Sequence, residues 1–157
     1  MQAETVAVVL ANPALSSILT MTLSGSPHLR VRAFETLGAL SVYSRVAPVA
    51  LVVMDFDLDA ARRLREAPDL AGPRFDLVAL AASVDAELPA LSRRAGIDEV
   101  LLKPMSPRYL LERVLSRLAR RVTLTGTAAP VRQPVRRPWS HFGDNIVPLF
   151  PELQPQG

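Results

Sequence analysis

The chain has 157 residues, of which 49% are apolar and 21% are charged, and these proportions fit one globular domain. It contains no cysteine, which excludes disulfides, thiolate metal sites and cysteine nucleophiles. No run of 18 apolar residues is present, so no membrane-spanning helix is predicted, and a net charge of +3 does not by itself indicate nucleic-acid binding.

Short apolar runs alternate with helical patterns along the first 121 residues. Residues 5–10, 50–54 and 75–82 are apolar on both faces, which is typical of strands buried in a parallel sheet. Residues 28–34 alternate between apolar and basic side chains, as an edge strand with one solvated face does. A short last strand is predicted at 99–102. The predicted helices occupy 13–24, 35–46, 58–65, 86–95 and 107–121.

This β-α order, repeated five times, predicts an α/β fold of the flavodoxin-like type. Parallel strands with right-handed crossovers form a doubly wound five-stranded sheet, with helices on both faces. Ligands of such sheets bind at the carboxyl ends of the strands. The residues at those positions are Ala11 and Asn12, Asp55 to Asp57, Ala81 to Ser83, and Lys103.

At two of these strand ends the sequence contains a short motif with a charged residue. The third strand ends in LVVMD with Asp55, and the fifth ends in VLLKP with Lys103 and Pro104, within the longer passage AGIDEVLLKP. In this order and spacing, residues 5–121 resemble the receiver domain of two-component response regulators. The resemblance implies that Asp55 occupies the phospho-acceptor position and Lys103, the only lysine in the chain, the position of the phosphate-contacting lysine.

The sequence departs from the receiver pattern at the other functional positions. Receivers carry two Mg²⁺-binding acids after the first strand, a Thr or Ser at the end of the fourth strand and a switching Tyr or Phe on the fifth. The aligned residues here are Leu10, Ala11 and Asn12, then Ala81, then Val100. Because Mg²⁺ prefers carboxylate and other oxygen ligands, poor Mg²⁺ binding is expected. Asp55 and Asp57 are weak metal candidates, and a solvated acidic loop is the favoured interpretation.

These losses predict a degenerate receiver, or pseudo-receiver. It would be a non-catalytic, phosphorylation-independent protein-interaction module in bacterial-type signal transduction, with no cofactor and no enzymatic activity. One alternative is an active stand-alone response regulator, phosphorylated with Mg²⁺ on Asp55 by a histidine kinase or phosphotransfer protein. A second is a structural or localisation adaptor that uses its C-terminal tail. Fold resemblance alone does not separate the three.

Receivers bind partners or a second copy through the face that their fourth helix, fifth strand and fifth helix form. The corresponding residues here are 86–95, 99–102 and 107–121. Arg113 and Arg117 on the last helix are candidates for contacts with a protein partner or in a homodimer. The alternative is an ordinary amphipathic helix with a solvated basic side.

The end of the chain differs in composition from the 1–121 receiver-like domain. Residues 122–138 are Pro- and Arg-rich and predict an extended linker, whose three arginines allow too few phosphate contacts to indicate nucleic-acid binding. Residues 139–157 hold candidate docking anchors, which bind either the chain's own domain or a partner. They are Trp139, Phe142 and Phe150. No signal peptide is evident at the start, so a cytoplasmic location is expected.

Overall fold

A computed structural model of the chain describes residues 2–67, 74–83 and 85–125. In these residues five strands alternate with five helices, in the predicted order. The strands are β1 (Glu4–Val9), β2 (Leu29–Phe34), β3 (Leu51–Asp55), β4 (Asp76–Ala81) and β5 (Glu99–Leu102). The helices are α1 (Pro13–Ser24), α2 (Leu37–Ser44), α3 (Leu58–Glu66), α4 (Leu88–Arg94) and α5 (Pro107–Thr125).

The strands form one parallel sheet in the order β2-β1-β3-β4-β5. The flavodoxin-like topology predicted from the sequence is therefore confirmed. The order reverses beside β1, so the carboxyl ends of β1 and β3 meet at the point where such sheets bind their ligands. Strand β2 is an edge strand, as its alternating pattern predicted, and its Arg30 and Arg32 are exposed.

Each face of the sheet carries its own apolar core. Val6 and Val8 of β1 pack with the buried side of α1 and α5, whereas Ala7 and Val9 pack on the other face, against α2 and α3. Because successive side chains of a strand point to opposite faces, a strand buried on both sides has no polar alternation. The unbroken apolar runs of β1, β3 and β4 follow directly from this geometry.

Two ionic clusters lie at the amino ends of β4 and β5. In the first, Arg65 of α3 donates hydrogen bonds to the carbonyls of Phe75 and Gly96 and to the carboxylate of Asp98. Gly96 has a φ of 83°, and a Cβ there would stand 2.7 Å from Cγ of Arg65, so this turn requires glycine. The cluster therefore connects α3 to the loop that leads into β5.

The second cluster joins α5 to β5. Glu99 accepts hydrogen bonds from Arg113 at 2.5 Å and from Arg117 at 2.6 Å, and all three side chains are largely buried. Burial raises the pKa of Glu99, but the hydrogen bonds from the two arginines outweigh burial and hold that pKa below its ordinary value. Arg121, one turn further along α5, donates to the carbonyl of Ala50.

Helix α5 continues four residues beyond the predicted end at residue 121, since it extends to Thr125. The first residues of the predicted linker 122–138 are therefore helical, and the sequence pattern missed them because Val122 and Thr123 belong to no buried stripe. The first compact unit of the chain is Met1–Thr125. The rest of the linker and the segment 139–157, with Trp139, Phe142 and Phe150, lie outside the described residues.

Candidate functional site

The site lies where β3 and β5 end. Asp55 is the last residue of β3, and Lys103 directly follows β5 and precedes a cis peptide bond to Pro104. Their side chains meet across the end of β4, with Lys103 Nζ donating to Asp55 Oδ1 at 3.0 Å. Asp55 is 34% exposed and Lys103 35% exposed, so the pair faces solvent. The two residues that the sequence singled out for phosphoryl chemistry thus form one ion pair.

The second carboxylate oxygen of Asp55 also has a partner within the chain. Asp55 Oδ2 accepts a hydrogen bond from the backbone N–H of Ala11 at 2.8 Å. Asp55 therefore connects the loop after β1 to the loop after β5. Ala11, which stands where receivers have an acid, contributes a hydrogen-bond donor here, and a donor cannot bind a cation.

The residues on either side of Ala11 stabilise the fold, one in the core and one as a helix cap. Leu10 is buried in the core between the sheet and α1. Asn12 is the N-cap of α1, and its side-chain oxygen accepts from the N–H of Leu15 at 3.1 Å, ahead of Pro13 at the first helical position. The sequence contained this signal, an Asn before a proline and an apolar helical pattern.

Capping makes the role of Asn12 testable. Asn12→Ala is expected to lower the free energy of unfolding by about 1 kcal/mol, because the N–H of Leu15 loses its acceptor. The matched control Asn12→Asp keeps the acceptor and places a negative charge at the positive end of the helix, so it is expected to be neutral or slightly stabilising. Urea denaturation followed by circular dichroism measures both. Equal losses in the two variants would contradict the capping role.

Asp57, the other weak metal candidate, has a hydrogen-bond partner in the next helix. It is the N-cap of α3, and its Oδ1 accepts from the N–H of Ala60 at 2.9 Å. Asp59, in the first turn of α3, is exposed and lies 3.8 Å from Arg62. Asp57 and Asp59 are both exposed and lie at the N-terminus of α3, where carboxylates are favoured by the free N–H groups of the first turn.

Ala81 and Val100 stand where receivers have the Thr or Ser and the Tyr or Phe that respond to phosphorylation, and both are apolar. Ala81 ends β4 in a buried position, and its carbonyl accepts from the N–H of Lys103 at 2.8 Å. Val100 is half-buried and packs against the core on the α2 and α3 side of the sheet. Neither side chain has an oxygen to bind a phosphoryl group, and neither has a ring that could change rotamer.

The magnesium ion that receivers use does not fit these residues. In the part of the chain that the structure describes, Asp55 is the carboxylate that ends a strand here, whereas Asp57 caps α3 and Leu10 is apolar and buried. Among residues 2–67, 74–83 and 85–125, no group of three His, Cys, Asp or Glu side chains is placed to hold a metal ion. Mg²⁺ requires a near-octahedral shell of oxygen ligands. At the positions of the two receiver acids, Leu10 and Ala11 have no side-chain oxygen, and the side-chain oxygen of Asn12 caps α1.

Arg113 and Arg117, the candidates for contacts with a partner, form ion pairs within the chain. Both are held by Glu99, and Arg117 also donates to the carbonyl of Asp98 at 2.6 Å. Their spacing of four residues indicated a common helix side. Only the fold shows that this side faces a carboxylate of β5 instead of solvent. Among the described residues, no helix combines the length and hydrophobicity that crossing a bilayer requires.

No protein-family model and no curated protein matches the chain. Solved structures, however, are similar to this chain. A response regulator from Thermotoga maritima is 27% identical with a TM-score of 0.64, and the match covers 74% of this chain and 98% of that one. A CheY-like receiver domain protein from Methanospirillum hungatei JF-1 is 17% identical with a TM-score of 0.67, covering 78% of this chain and 99% of that one.

A third match is a protein of Burkholderia thailandensis E264 that is named for pilus assembly. It is 21% identical with a TM-score of 0.57, and the match covers 74% of this chain and 98% of that one. The matched share of this chain agrees with the extent of the ten helices and strands. Strand order, the Asp55–Lys103 pair at the strand ends and these matches lead to one conclusion. The chain has the fold of a response-regulator receiver domain.

Proposed function

We propose that this protein is a signalling module that binds other proteins through a receiver fold, without an aspartyl-phosphate cycle and without enzymatic activity. One observation carries the proposal. Each carboxylate oxygen of Asp55 accepts a hydrogen bond from the chain itself, one from Lys103 and one from Ala11. The residue at the acceptor position thus stabilises the fold at the place where an active receiver would carry out its chemistry.

Phosphoryl transfer depends on charge neutralisation. The protein positions the reacting groups, and metal ions and hydrogen-bond donors around the transferred phosphoryl group neutralise its charge. Among the described residues, Lys103 is the side chain that donates a hydrogen bond to Asp55, and Ala81 has no hydroxyl. Removing a single charge-stabilising donor from an active site typically raises the barrier by about 3 kcal/mol. Losing the metal-binding acids and the hydroxyl together therefore argues against a usable reaction rate.

An active response regulator is the second candidate. Asp55 ends the third strand, is about one-third exposed and lies 3.0 Å from the lysine that follows the fifth. These two residues have the placement that phosphorylation by a histidine kinase or phosphotransfer protein would use. On this candidate, Mg²⁺ would have to bind through Asp55 and backbone or water oxygens.

A phosphodonor experiment separates the two candidates. We expect no mass increment of a phosphoryl group after incubation with acetyl phosphate and Mg²⁺, and no Mg²⁺-dependent NMR shifts of the amides around Asp55. A response regulator known to autophosphorylate, treated in parallel, is the positive control. A phosphoryl adduct that disappears in Asp55→Asn would overturn the proposal in favour of the active regulator.

Partner binding needs a separate measurement. Affinity capture with the full chain is compared with capture by a chain that ends at Thr125, the last residue of α5. Partners retained by the shorter chain support a receiver-fold interaction module. Partners lost with residues 126–157 would support the adaptor alternative, in which the receiver fold only carries the tail.

A further inference from the structure

Strand β2 forms one edge of the sheet, and among the described residues no strand pairs with its outer side. The N–H of Glu4 donates to the carbonyl of His28 at 3.0 Å, which fixes the phase of the pairing between β1 and β2. In a parallel pair, alternate residues of a strand bond to the same neighbour, so the even-numbered residues of β2 bond to β1. The N–H and C=O groups of Val31 and Ala33 therefore point to the open side of the sheet.

One face of this edge is basic. Side chains of a strand alternate between the faces of the sheet, so Arg30 and Arg32 lie on the side of α2, whereas Val31 packs on the side of α1. Both arginines are exposed, and in the part of the chain that the structure describes neither has an ion pair or a side-chain hydrogen bond. The residues beside them on β1 are Thr5 and Ala7, which are uncharged.

The nearest acids in the sequence do not pair with these arginines. Glu4 shares its face of β1 with Val6, which packs on the α1 side, so Glu4 lies on the face opposite to the arginines. Glu35 is exposed and follows the last residue of β2. On the α1 side, α1 itself contacts β2 and has no charged residue. The edge therefore presents an arginine row on one face and an uncharged helix on the other.

We propose that β2 binds an extended acidic segment of a partner protein, which adds to the sheet as a further strand. The open backbone groups of Val31 and Ala33 supply the hydrogen bonds, as in other complexes in which a peptide extends a sheet. Side chains directly opposite each other in neighbouring strands lie about 5 Å apart, so acids at alternate positions of the segment face Arg30 and Arg32. Apolar residues between those acids lie on the side of the uncharged helix α1.

The two arginines also determine which strands are rejected. Charged side chains are one means by which proteins keep the edges of their sheets from pairing with any strand. Two copies of β2 paired edge to edge would bring Arg30 and Arg32 of one copy beside those of the other, and like charges in that position repel. A basic segment is rejected for the same reason, and a neutral one gains no charge pairing. An acidic segment is therefore the occupant that this edge selects.

Fluorescence anisotropy of the full chain with a labelled peptide tests the proposal. The probe is a peptide of about eight residues in which glutamate alternates with valine. We expect saturable binding that weakens as salt is added, because the charge pairs are exposed. Arg30→Glu and Arg32→Glu are each expected to raise the dissociation constant at least about 10-fold. Arg94→Glu is the matched control, since Arg94 is an exposed arginine on α4, the helix between β4 and β5 at the far end of the sheet.

Reversing the charges on both sides gives a complementary result. A peptide with lysine in place of glutamate is expected not to bind the wild type. It is expected to bind the double variant Arg30→Glu/Arg32→Glu, because each lysine then faces a carboxylate. Both substituted positions are exposed, and circular dichroism shows whether the variants fold.

Amide hydrogen exchange separates strand pairing from attraction between charges alone. With the glutamate peptide bound, the amides of Val31 and Ala33 are expected to exchange at least about 10-fold more slowly, because they acquire hydrogen-bond acceptors. The amides of Arg30 and Arg32 already donate to β1 and are expected to change less. This measurement uses the wild-type chain, so it does not depend on the folding of any variant.

Absence of binding by the glutamate peptide would overturn the proposal. Losses as large in Arg94→Glu as in Arg30→Glu, or unchanged exchange at Val31 and Ala33, would overturn it equally. The proposal names a partner class for the protein-binding role proposed above and rests on that role, which the capture experiment tests separately. If the double variant Arg30→Glu/Arg32→Glu captures the same partners as the wild type, the protein-binding role stands and the β2 site is wrong.

Discussion

Replacing Arg65 with methionine is expected to lower the free energy of unfolding by about 3 kcal/mol, because it removes a largely buried ion pair and two further hydrogen bonds. The guanidinium reaches Asp98 at 2.7 Å, the carbonyl of Phe75 at 2.7 Å and the carbonyl of Gly96 at 2.9 Å. It also lies 4.3 Å from the centre of the Phe75 ring. Methionine keeps most of the side-chain volume, so the loss reports on the polar contacts. Urea denaturation measures the change.

The matched control is Arg62→Met, one turn earlier on the same helix. Arg62 is 48% exposed, and its contact with Asp59 is 3.8 Å long. Surface ion pairs of this kind contribute little, so a change below about 0.5 kcal/mol is expected. Similar losses in the two variants would show that the Arg65 network does not stabilise the fold as its geometry indicates. Arg74, 3.5 Å from Asp98, limits the loss by remaining as a second partner.

Glu99→Gln is expected to cost about 2 kcal/mol at pH 7, because hydrogen bonds to charged groups are among the stronger ones in proteins. The substitution keeps the shape of the side chain but leaves Arg113 and Arg117 without their carboxylate. Glu99 is 12% exposed, so solvent replaces the lost contacts poorly. The expected result is a lower urea midpoint with an unchanged slope.

The loss in Glu99→Gln should depend on pH in a defined direction. The pKa of Glu99 is held below its ordinary value in the folded state, so its contribution is present above the unfolded pKa, about 4.3, and disappears as pH falls through the folded pKa. The stability gap between wild type and variant should therefore be constant from neutral pH down to about 5. It should close only in more acidic solution.

The ionisation of Asp76 changes the free energy of unfolding with pH in the direction opposite to that of Glu99. Burial, and then the charge of Asp98, raise the pKa of Asp76, so its ionisation destabilises the fold as pH rises through that value. Glu112→Gln is the control, since Glu112 is 61% exposed and 3.5 Å from Arg108. A gap for Glu99→Gln that widens on acidification would contradict the assignment.

The strands and helices could be predicted because their signals are local. Strands buried on both faces need continuous apolar runs, and helices need a repeat near 3.6 residues, so both patterns are visible in short windows. Asn12 and Asp57 also carried local capping signals, although the sequence interpretation assigned Asn12 to a lost metal site and Asp57 to an acidic loop. A capping residue and a metal ligand use the same oxygen atoms, and only the position of the next helix distinguishes them.

The partners of the charged residues could not be predicted. Arg65 and Asp98 are 33 residues apart, and Glu99 and Arg117 are 18 apart. Whether an arginine on a helix reaches solvent, a second protein or a strand depends on how the helix is rotated on the sheet. The sequence indicated a basic side on α5, and the fold placed part of that side against Glu99.

The sequence by itself determined the fold class, the order of the strands and helices, and the placement of Asp55 and of the only lysine, Lys103, at the carboxyl ends of two strands. These follow from hydrophobic periodicity and from the rule that parallel strands end at one edge of the sheet. Only the tertiary structure decided that Ala11 donates to Asp55, that Arg65 binds Asp98 and that Glu99 holds Arg113 and Arg117. Each of these depends on distances between segments remote in the chain. Packing sets those distances, and no local pattern encodes them.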